Sequence, residues 1–268
     1  MVQAPETASR SSETSAAKPL AGRHALITGA SRGIGAAIAR ELSRLGADLT
    51  LVARDTASLG KTAASLRGSG HVDKLAADVT RDEDVRRLAA DVRSLHILIN
   101  NAGGAESAPF TRTDAALWQR MIDLNLTSVY RVTHALAPAM AKSGWGRIVN
   151  VASSAGLKGY AYVSAYTAAK HGVVGLTRAL ALELAKNGVT VNAVCPGYTD
   201  TPMLDGAIGA IAAKTGKSKD EARAGLAATN PLGRLVTPEE VASAVGWLCL
   251  PESGSITGQA IAIAGGEL

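Results

Sequence analysis

A tyrosine and a lysine four positions apart, Tyr166 and Lys170, are well suited to proton transfer. On a helix, side chains at this spacing lie on one face, one turn apart. An unperturbed tyrosine has a pKa of about 10, and a nearby ammonium lowers that pKa by stabilising the phenolate. We therefore expect Tyr166 to act as a general acid or base. The pattern alone is weak, because an ordinary amphipathic helix can also contain it.

Tyr166 lies in the stretch YAYVSAYTAAKHG, residues 160–172, which holds three of the five tyrosines of the chain. Tyr160 and Tyr162 have no lysine four positions later, and they precede the helix that is predicted to carry Tyr166. These two residues either line the entrance of a substrate pocket or pack the loop, and the sequence leaves both interpretations open.

Two other positions place polar side chains where they could assist Tyr166. Ser153 stands 13 positions before Tyr166, at the end of an apolar β-type run, where its hydroxyl could bind a substrate carbonyl or hydroxyl oxygen. Ser154 could compete for that role, although the offset to Tyr166 favours Ser153. Asn125 interrupts the apolar stretch IDLNLTSVY, and it is either a relay residue that needs a partner or a water, or an ordinary exposed helix position.

Short apolar runs alternate with longer helical patterns from His24 onward. Continuous apolar runs are typical of strands buried on both faces, and their alternation with helices requires right-handed crossovers in a parallel sheet. We predict an α/β fold, a doubly wound seven-stranded parallel sheet of Rossmann type with helices on both faces, in a single domain. The predicted strands are HALIT from residue 24, 47–53, 72–77, 95–100, 146–153, 189–196 and 259–265, and the predicted helices lie near 34–45, 56–67, 82–93, 113–142 and 164–186, with another beginning at TPEE.

The first predicted strand runs into TGASRGIG, residues 28–35. Glycines permit a tight turn from strand to helix and let a pyrophosphate approach the backbone N–H groups at the helix N-terminus. Any strand-to-helix turn can contain glycine, but this one follows the first strand and opens a helix. We therefore expect a dinucleotide to bind at this loop, through Gly29, Ser31, Arg32, Gly33, Ile34 and Gly35.

Cofactor preference is decided at the end of the second strand, in the sequence LVARD. An acidic residue there would favour NAD by accepting hydrogen bonds from the ribose 2′-hydroxyl. Ala53 stands where that acid is expected and Arg54 follows it, with Arg32 predicted to lie close by. Because arginine binds phosphate through two parallel hydrogen bonds, this pair favours NADP(H) over NAD(H), although either arginine could be a solvated surface residue.

Six motifs, in order, make the chain similar to the short-chain dehydrogenase/reductase family from about residue 20 onward: TGASRGIG, NNAG (100–103), Asn125, Ser153, Tyr166 with Lys170, and PGYTDT (196–201). The resemblance implies reversible hydride transfer between a nicotinamide cofactor and a ketone or secondary alcohol. Tyr166 would exchange the proton, and Ser153 would fix the substrate oxygen. Lys170 would bind the nicotinamide ribose and lower the tyrosine pKa, and Asn125 would hold a water that links Lys170 to solvent.

The same resemblance implies further contacts with the cofactor: Asp78 and Val79 with the adenine, Asn101 beside the ribose, and Thr199 and Thr201 at the nicotinamide end. One departure from the family lies near the C-terminus. Ala264 stands where many relatives carry an acid before the paired glycines, which leaves the C-terminal contacts open.

Segment 202–233 follows the strand on the nicotinamide side, where a substrate lid would lie. Its apolar start and its lysines 214, 217 and 219 suit an acyl chain on an anionic carrier such as coenzyme A or an acyl carrier protein. Residues 166–203 also resemble ketoreductases of 3-oxoacyl or polyketide thioesters and 3-hydroxyacyl-CoA dehydrogenases. The lysines could instead be merely solvated, and a cyclic, steroidal or sugar alcohol is an alternative substrate. An inert NADP-binding regulator is another alternative, but it would be expected to lack the serine, tyrosine or lysine.

Composition narrows the class of protein. The formal charge of +5 comes from basic residues scattered among 23 acids, which argues against a nucleic-acid partner, and no stretch reaches the roughly 20 apolar residues of a membrane span. Cys195 and Cys249 lie in apolar runs, and the five histidines show no metal-ligand spacing, so we expect no disulfide and no metal. We expect a cytoplasmic protein with a disordered tail at 1–19 and one domain at 20–268, and the family resemblance implies a homotetramer.

Overall fold

The computed structural model, which describes residues 18–68, 70–92 and 94–268, contains one sheet of seven parallel strands. In chain order the strands are β1 (His24–Thr28), β2 (Asp48–Ala53), β3 (Val72–Ala76), β4 (Ile97–Asn100), β5 (Gly146–Val151), β6 (Val189–Pro196) and β7 (Ala260–Ile263). Their order across the sheet is β3-β2-β1-β4-β5-β6-β7, so the winding direction reverses between β1 and β4. The predicted doubly wound parallel sheet is confirmed.

Most helices of the described residues cover the two faces of this sheet. In chain order the helices are α1 (Gly33–Arg44), α2 (Thr56–Ala64), α3 (Asp82–Asp91), α4 (Ala115–Ile122), α5 (Ser128–Ser143), α6 (Ser164–Leu184), α7 (Pro202–Thr215), α8 (Lys219–Ala227) and α9 (Pro238–Cys249). Helix α9 begins with Thr237 and Glu240 in a capping box, as the TPEE sequence predicts. Within the described parts of the chain, no helix has the length and hydropathy that crossing a membrane requires.

Each strand supplies apolar side chains to both faces, which explains the continuous apolar runs. In β1, Ile27 belongs to a core formed with α1, α2 and α9, and Leu26 belongs to a second core formed with α3, α5 and α6. A small cluster lies apart from these two, and it joins Leu204 and Ile208 of α7 to Ala222 of α8 and to Leu235. The segment predicted as a lid thus has a core of its own.

The predicted long helix at 113–142 is wrong in one respect, because it is divided in the structure. A π-helical segment, Asp123–Thr127, separates α4 from α5, and the Ser128 N–H donates to the Asp123 carbonyl five residues back. An apolar pattern of helical period does not distinguish a π turn from an α turn, so this break has no signal in the periodicity.

The predicted tail at 1–19 lies outside the described residues except for Lys18 and Pro19, and Arg93 is also outside them.

Buried amides connect the centre of the sheet to α5 and α6. Asn100 at the end of β4 donates to Thr133 of α5 at 2.9 Å and to the amide oxygen of Asn150 in β5 at 2.8 Å. Asn150 in turn donates to Thr177 of α6 at 2.9 Å. These four side chains are buried, so their polar atoms must find partners inside the protein, and the Thr177 hydroxyl also donates to the Val173 carbonyl oxygen at 2.8 Å.

Replacing Asn150 by alanine should therefore remove one hydrogen bond of Asn100 and one of Thr177, while Asn100 keeps Thr133 and Thr177 keeps the Val173 carbonyl as a partner. We expect the free energy of unfolding in urea, at fixed protein concentration, to fall by about 2 kcal/mol or more. The exposed Asn187, changed to alanine in the same way, should alter it by about 0.5 kcal/mol or less. Equal losses in the two variants would contradict a structural role for the buried amides.

Candidate active site

The carboxyl ends of β1, β4, β5 and β6 lie at one edge of the sheet, and most of the predicted site residues follow these strands. The glycine loop follows β1, Asn101 follows β4, and Ser153 follows β5. Because the strand order reverses between β1 and β4, the loops that leave these strands diverge and open a crevice between them.

Tyr166 and Lys170 share one face of α6, and that face lies against the end of β5. The Ser153 side chain lies close to the Tyr166 hydroxyl. The Lys170 ammonium lies 5.7 Å from the centre of the Tyr166 ring and donates to the carbonyl oxygen of Val151 at 2.8 Å. The structure thus brings the predicted serine, tyrosine and lysine together at one point.

The two adjacent serines after β5 have different partners. Ser153 accepts a hydrogen bond from the Ala155 N–H at 3.1 Å, and its own N–H donates to the Cys195 thiol in β6. Ser154 instead lies 2.7 Å from the Tyr160 hydroxyl. Ser153 is therefore the serine that faces Tyr166. Burial raises the pKa of Cys195 to about 11, so this residue stays a thiol, consistent with its predicted place in the core.

Asn125 lies inside the π-helical segment and is fully buried, so its interpretation as an exposed helix position is wrong. Its amide oxygen accepts from the Gly104 N–H at 3.1 Å, and its amide nitrogen donates to the carbonyl oxygens of Gly104 at 2.9 Å and Met121 at 3.0 Å. A β-carbon at Gly103 would lie 2.9 Å from the Asn125 amide oxygen and 3.7 Å from the Lys170 ammonium. Glycine at 103 therefore lets the NNAG loop pass between these two side chains.

Burial shifts the pKa values of Tyr166 and Lys170 in opposite directions. Desolvation around the phenol raises the pKa of Tyr166, although the nearby Ser153 side chain opposes the change. Desolvation lowers the pKa of Lys170 to about 8. The expected lowering of the tyrosine pKa by Lys170 is thus not found, because desolvation of the phenol is the largest effect on that pKa. Tyr166 is protonated at neutral pH.

The glycine loop has the geometry that an anion site requires. Gly29 and Gly33 have φ values of +65° and +54°, and a β-carbon at Gly35 would lie 2.3 Å from the Gly29 carbonyl oxygen. Helix α1 begins at Gly33 with no side-chain cap and no acid in its first turn. Five other helices are capped by side chains, those of Asp55, Asp114, Thr201, Ser218 and Thr237. The first N–H groups of α1 are thus available to a pyrophosphate.

The other loop residues are held by the core and by α2. The carbonyl oxygens of Ala30 and Ser31 accept hydrogen bonds from the Thr62 hydroxyl at 3.0 and 3.2 Å. Ile34 packs on the core beneath the loop. Thr62 was missed by the sequence reasoning, because a threonine in a surface-type helix gives no sign that it contacts a loop 31 residues earlier.

Arg32 and Arg54 are both exposed, and neither forms an ion pair with an acid of the described residues. Asp78 lies near Arg54. Burial alone would raise the Asp78 pKa, but hydrogen bonds from Thr80 and the charge of Arg54 bring that pKa below its usual value. Val79, next to it, is buried in the second core. Arg54 thus lies just after the end of β2, and Arg32 is the N-cap residue of α1 in the glycine loop.

Asn101 braces the glycine loop. Its side-chain amide donates to the carbonyl oxygens of Thr28 at 2.9 Å and Gly29 at 3.1 Å. The Thr28 hydroxyl accepts from the N–H groups of Asn101 and Ala102, each at 3.0 Å. Thr28 is a second residue that the sequence reasoning missed. A threonine that ends an otherwise apolar strand is the signal that could have identified it.

Thr199 and Thr201 lie in the segment that follows β6. The Thr199 hydroxyl donates to the Gly197 carbonyl at 3.0 Å, and Thr201 caps α7. The Thr201 methyl group would lie 3.2 Å from a β-carbon at Gly33. The start of α7 therefore faces the glycine loop across the crevice. These features together fit a dinucleotide, with its phosphates at α1 and its far end near Tyr166.

Comparison with known proteins agrees with this geometry. The family model for short chain dehydrogenase matches residues 23–208. The chain is 42% identical over 258 residues to a ketoacyl reductase attributed to the granaticin polyketide synthase of Streptomyces violaceoruber, covering 94% of this chain and 93% of that protein. It is 41% identical to the cis-4-hydroxycyclohexanecarboxylate dehydrogenase of Sinomonas cyclohexanicum, with 91% and 96% covered.

A crystal structure of an actinorhodin polyketide ketoreductase variant with NADPH superimposes with a TM-score of 0.88 at 39% identity, covering 91% of this chain and 97% of that one. The family match, the relatives and this structure agree with the sequence resemblance. The chain therefore belongs to the short-chain dehydrogenase family, as an oxidoreductase that acts on CH–OH donors with a nicotinamide cofactor.

Proposed function

We propose that this enzyme reduces the ketone of a 3-oxoacyl thioester to a secondary alcohol with NADPH. The observation that carries the proposal is the meeting of Ser153, at the end of β5, with Tyr166 and Lys170 on one face of α6, where the Lys170 ammonium lies 5.7 Å from the centre of the Tyr166 ring. Burial raises the pKa of Tyr166, so the phenol is protonated at neutral pH. A protonated donor suits the reductive direction, in which the ketone oxygen gains a proton. The granaticin relative is named as a ketoacyl reductase, which supports the same substrate class.

Each site residue has one task in this proposal. The Ser153 hydroxyl holds the ketone oxygen, and Tyr166 gives that oxygen its proton. The Lys170 cation lies beside the Tyr166 ring and stabilises negative charge on the phenol oxygen after the transfer. Asn125 holds the NNAG loop next to Lys170 and, as in the family, would position a water that returns the proton from solvent. Bound NADPH supplies the hydride.

The cofactor would be held along the crevice by residues at both of its ends. The first N–H groups of α1, at Gly33, Ile34 and Gly35, would bind the pyrophosphate, with Gly29 and Ser31 lining the turn. Asp78 and Val79 would contact the adenine and Asn101 a ribose. Lys170 would bind the nicotinamide ribose, and Thr199 and Thr201 would contact the nicotinamide end. Arg32 and Arg54 would bind the 2′-phosphate, since both are exposed and free of ion pairs with the described acids.

Helices α7 and α8 support the substrate assignment. Their small separate core suits a lid that moves as a unit over the cleft. Met203 at the start of α7 is exposed, and Lys214, Lys217 and Lys219 are exposed near the α7–α8 junction. An apolar entrance beside basic residues suits an acyl chain on an anionic carrier, coenzyme A or an acyl carrier protein.

Other properties belong to the same proposal. Exposed apolar residues on α5 and α6, Tyr130 and Leu182, support assembly through these helices into the homotetramer that is usual for the family. A sedimentation mass equal to one chain would refute that assembly.

The two buried free thiols suit a reducing compartment, the cytoplasm.

The test of substrate class is NADPH oxidation with a 3-oxoacyl thioester, offered free and on an acyl carrier protein. A cyclic secondary alcohol with NADP⁺ tests the second candidate, which the Sinomonas relative favours. Turnover of the alcohol without the thioester would replace the proposed substrate. NADPH binding with no turnover across both classes would favour an inert cofactor-binding protein.

Changing Tyr166 to phenylalanine removes the proton donor and keeps the ring. We expect turnover to fall by roughly 10²- to 10⁴-fold, with the NADPH dissociation constant, measured by fluorescence titration, within about twofold of the wild type. Tyr130→Phe is the matched control on the outer face of α5, and it should keep wild-type turnover. Loss of NADPH binding in the Tyr166 variant would contradict its assigned role.

Changing Arg54 to alanine should weaken NADPH binding by about tenfold or more and leave NADH binding almost unchanged, because only NADPH carries the 2′-phosphate. The exposed Arg86 on α3, changed to alanine, controls for loss of one positive charge. The assignment fails if both cofactors weaken equally, or if the wild type binds NADH more tightly than NADPH.

Burial of the charged Lys170 ammonium lowers the free energy of unfolding, and this loss should depend on pH. With a folded pKa of about 8 and an unfolded pKa of about 10.4, the unfolded chain binds the extra proton between these pH values. Stability of the wild type should therefore rise with pH across that window. Below pH 8 both states are protonated, and folding carries the full cost of burying the charge.

Lys170→Met should accordingly be inactive yet more stable than the wild type at pH 7, by on the order of 1–3 kcal/mol. The difference should shrink as pH rises from 8 to about 10.4. Thermal unfolding at several pH values measures this, with the exposed Lys142→Met as a control that lacks the pH dependence. A Lys170 variant that is less stable at pH 7 would show that the bond to Val151 outweighs the cost of burying the charge.

A further inference from the structure

The side chain of Glu267, the residue before the last, is only 4% exposed. It lies beside the segment that follows β6, since a β-carbon at Gly197 would be 3.1 Å from its Oε2 atom and 3.3 Å from Ala264. Lys158 neutralises the carboxylate, with its ammonium 3.2 Å from Oε1 and 3.1 Å from the Glu267 backbone carbonyl. The C-terminus is thus bound at the edge of the sheet that holds the active site.

Tyr160 connects this carboxylate to the loop after β5. Its hydroxyl lies 2.5 Å from Glu267 Oε1 and 2.7 Å from Ser154 Oγ. A carboxylate can only accept, so the phenol must donate to Glu267, and the Ser154 hydroxyl then donates to the phenol oxygen. Burial and the bond to Glu267 both raise the pKa of Tyr160, so it remains a phenol and a permanent donor. We call Ser154, Lys158, Tyr160 and Glu267 the C-terminal network.

The C-terminal network includes Ser154, the residue next to Ser153. The Ser154 hydroxyl is bonded to Tyr160, and the neighbouring Ser153 is the serine whose side chain lies close to Tyr166. The same short loop lies against α6, where a β-carbon at Gly156 would be 2.8 Å from the Lys170 carbonyl oxygen. The loop is therefore anchored on one side by the helix of Lys170 and on the other by the C-terminus.

The network also contacts the segment that leads to the lid. The ring of Tyr198 packs edge-on against the ring of Tyr160, with centroids 6.2 Å apart. Tyr198 immediately precedes Thr199, and α7 begins four residues after it. One buried carboxylate thus joins three chain segments around the cleft: the loop after β5, the segment after β6 and the C-terminus.

We propose that Tyr160 and Glu267 are positioning residues, which hold Ser154 aside and thereby fix Ser153 against the substrate oxygen. This inference rests on the proposed role of Ser153. It assigns Tyr160 to the framework of the site and not to its entrance, and it gives the last residues of the chain a part in catalysis. Neither residue transfers a proton in the reaction.

The experiment compares Tyr160→Phe, Glu267→Ala and Glu267→Gln with the wild type, using kcat, KM and the NADPH dissociation constant. Tyr160→Phe and Glu267→Ala should lower kcat by roughly 10- to 100-fold, because a shift of about 1 Å in a positioning group has an effect of that size. NADPH affinity should stay within about twofold. Glutamine still accepts the Tyr160 hydrogen bond, so Glu267→Gln should recover most of the lost rate.

Tyr198→Phe is the matched control, because it keeps the edge-on ring contact and removes only a hydroxyl outside the network. It should turn over at the wild-type rate. The inference is wrong if Tyr160→Phe also keeps the wild-type rate, if NADPH affinity falls as much as kcat, or if Glu267→Gln is as slow as Glu267→Ala.

A second measurement separates this inference from the proposed function. Backbone amide hydrogen exchange in residues 153–162 needs no substrate, and it should be faster in Tyr160→Phe and Glu267→Ala than in the wild type and in Tyr198→Phe. If the wild type does not reduce the thioester, the proposed function fails while exchange still tests the network. Unchanged exchange in Tyr160→Phe overturns the inference whatever the activity, as does faster exchange with a wild-type rate.

Discussion

The Lys170 ammonium is almost wholly buried at the end of β5, 2.8 Å from the Val151 carbonyl oxygen, and no acid of the described residues pairs with it. A buried charge with only a backbone dipole for a partner is costly, and its pKa of about 8 reflects that cost. The rest of the site depends on this constraint. Helix α6 must lie close against β5, and the NNAG loop has a glycine, Gly103, where it passes near the ammonium.

The doubly wound sheet holds α6 close against β5. Two apolar cores, one on each face, fix α1 and α6 on opposite sides of β1, β4 and β5. The buried amides of Asn100 and Asn150 are hydrogen bonded to Thr133 of α5 and Thr177 of α6, and these bonds connect both helices to the centre of the sheet. On the other side, Gly35 lets α1 approach Gly29 so closely that no side chain fits between them.

The polar groups at the carboxyl edge of the sheet form separate regions. The uncapped start of α1, with Arg32 as its N-cap residue, forms a region suited to anions at one end of the crevice. At the other end, the Tyr166 phenol, the Ser153 hydroxyl and the buried Lys170 amine come together. A separate set of hydrogen bonds, which ends on Glu267, satisfies Ser154 and keeps it apart from that group.

The sequence by itself determined the fold class and most of the site, because these depend on local patterns. Apolar runs between helical patterns predicted the seven parallel strands, glycine spacing predicted the turn into α1, and the offset from Tyr166 to Lys170 predicted one helix face. Only the tertiary structure decided the rest. Burial raises the pKa of Tyr166. The π-helical segment buries the side chain of Asn125. The carboxylate of Glu267, 107 residues from Tyr160 in the chain, is hydrogen bonded to the Tyr160 hydroxyl. These features depend on desolvation and on contacts between distant segments, which no periodicity or spacing along the chain records.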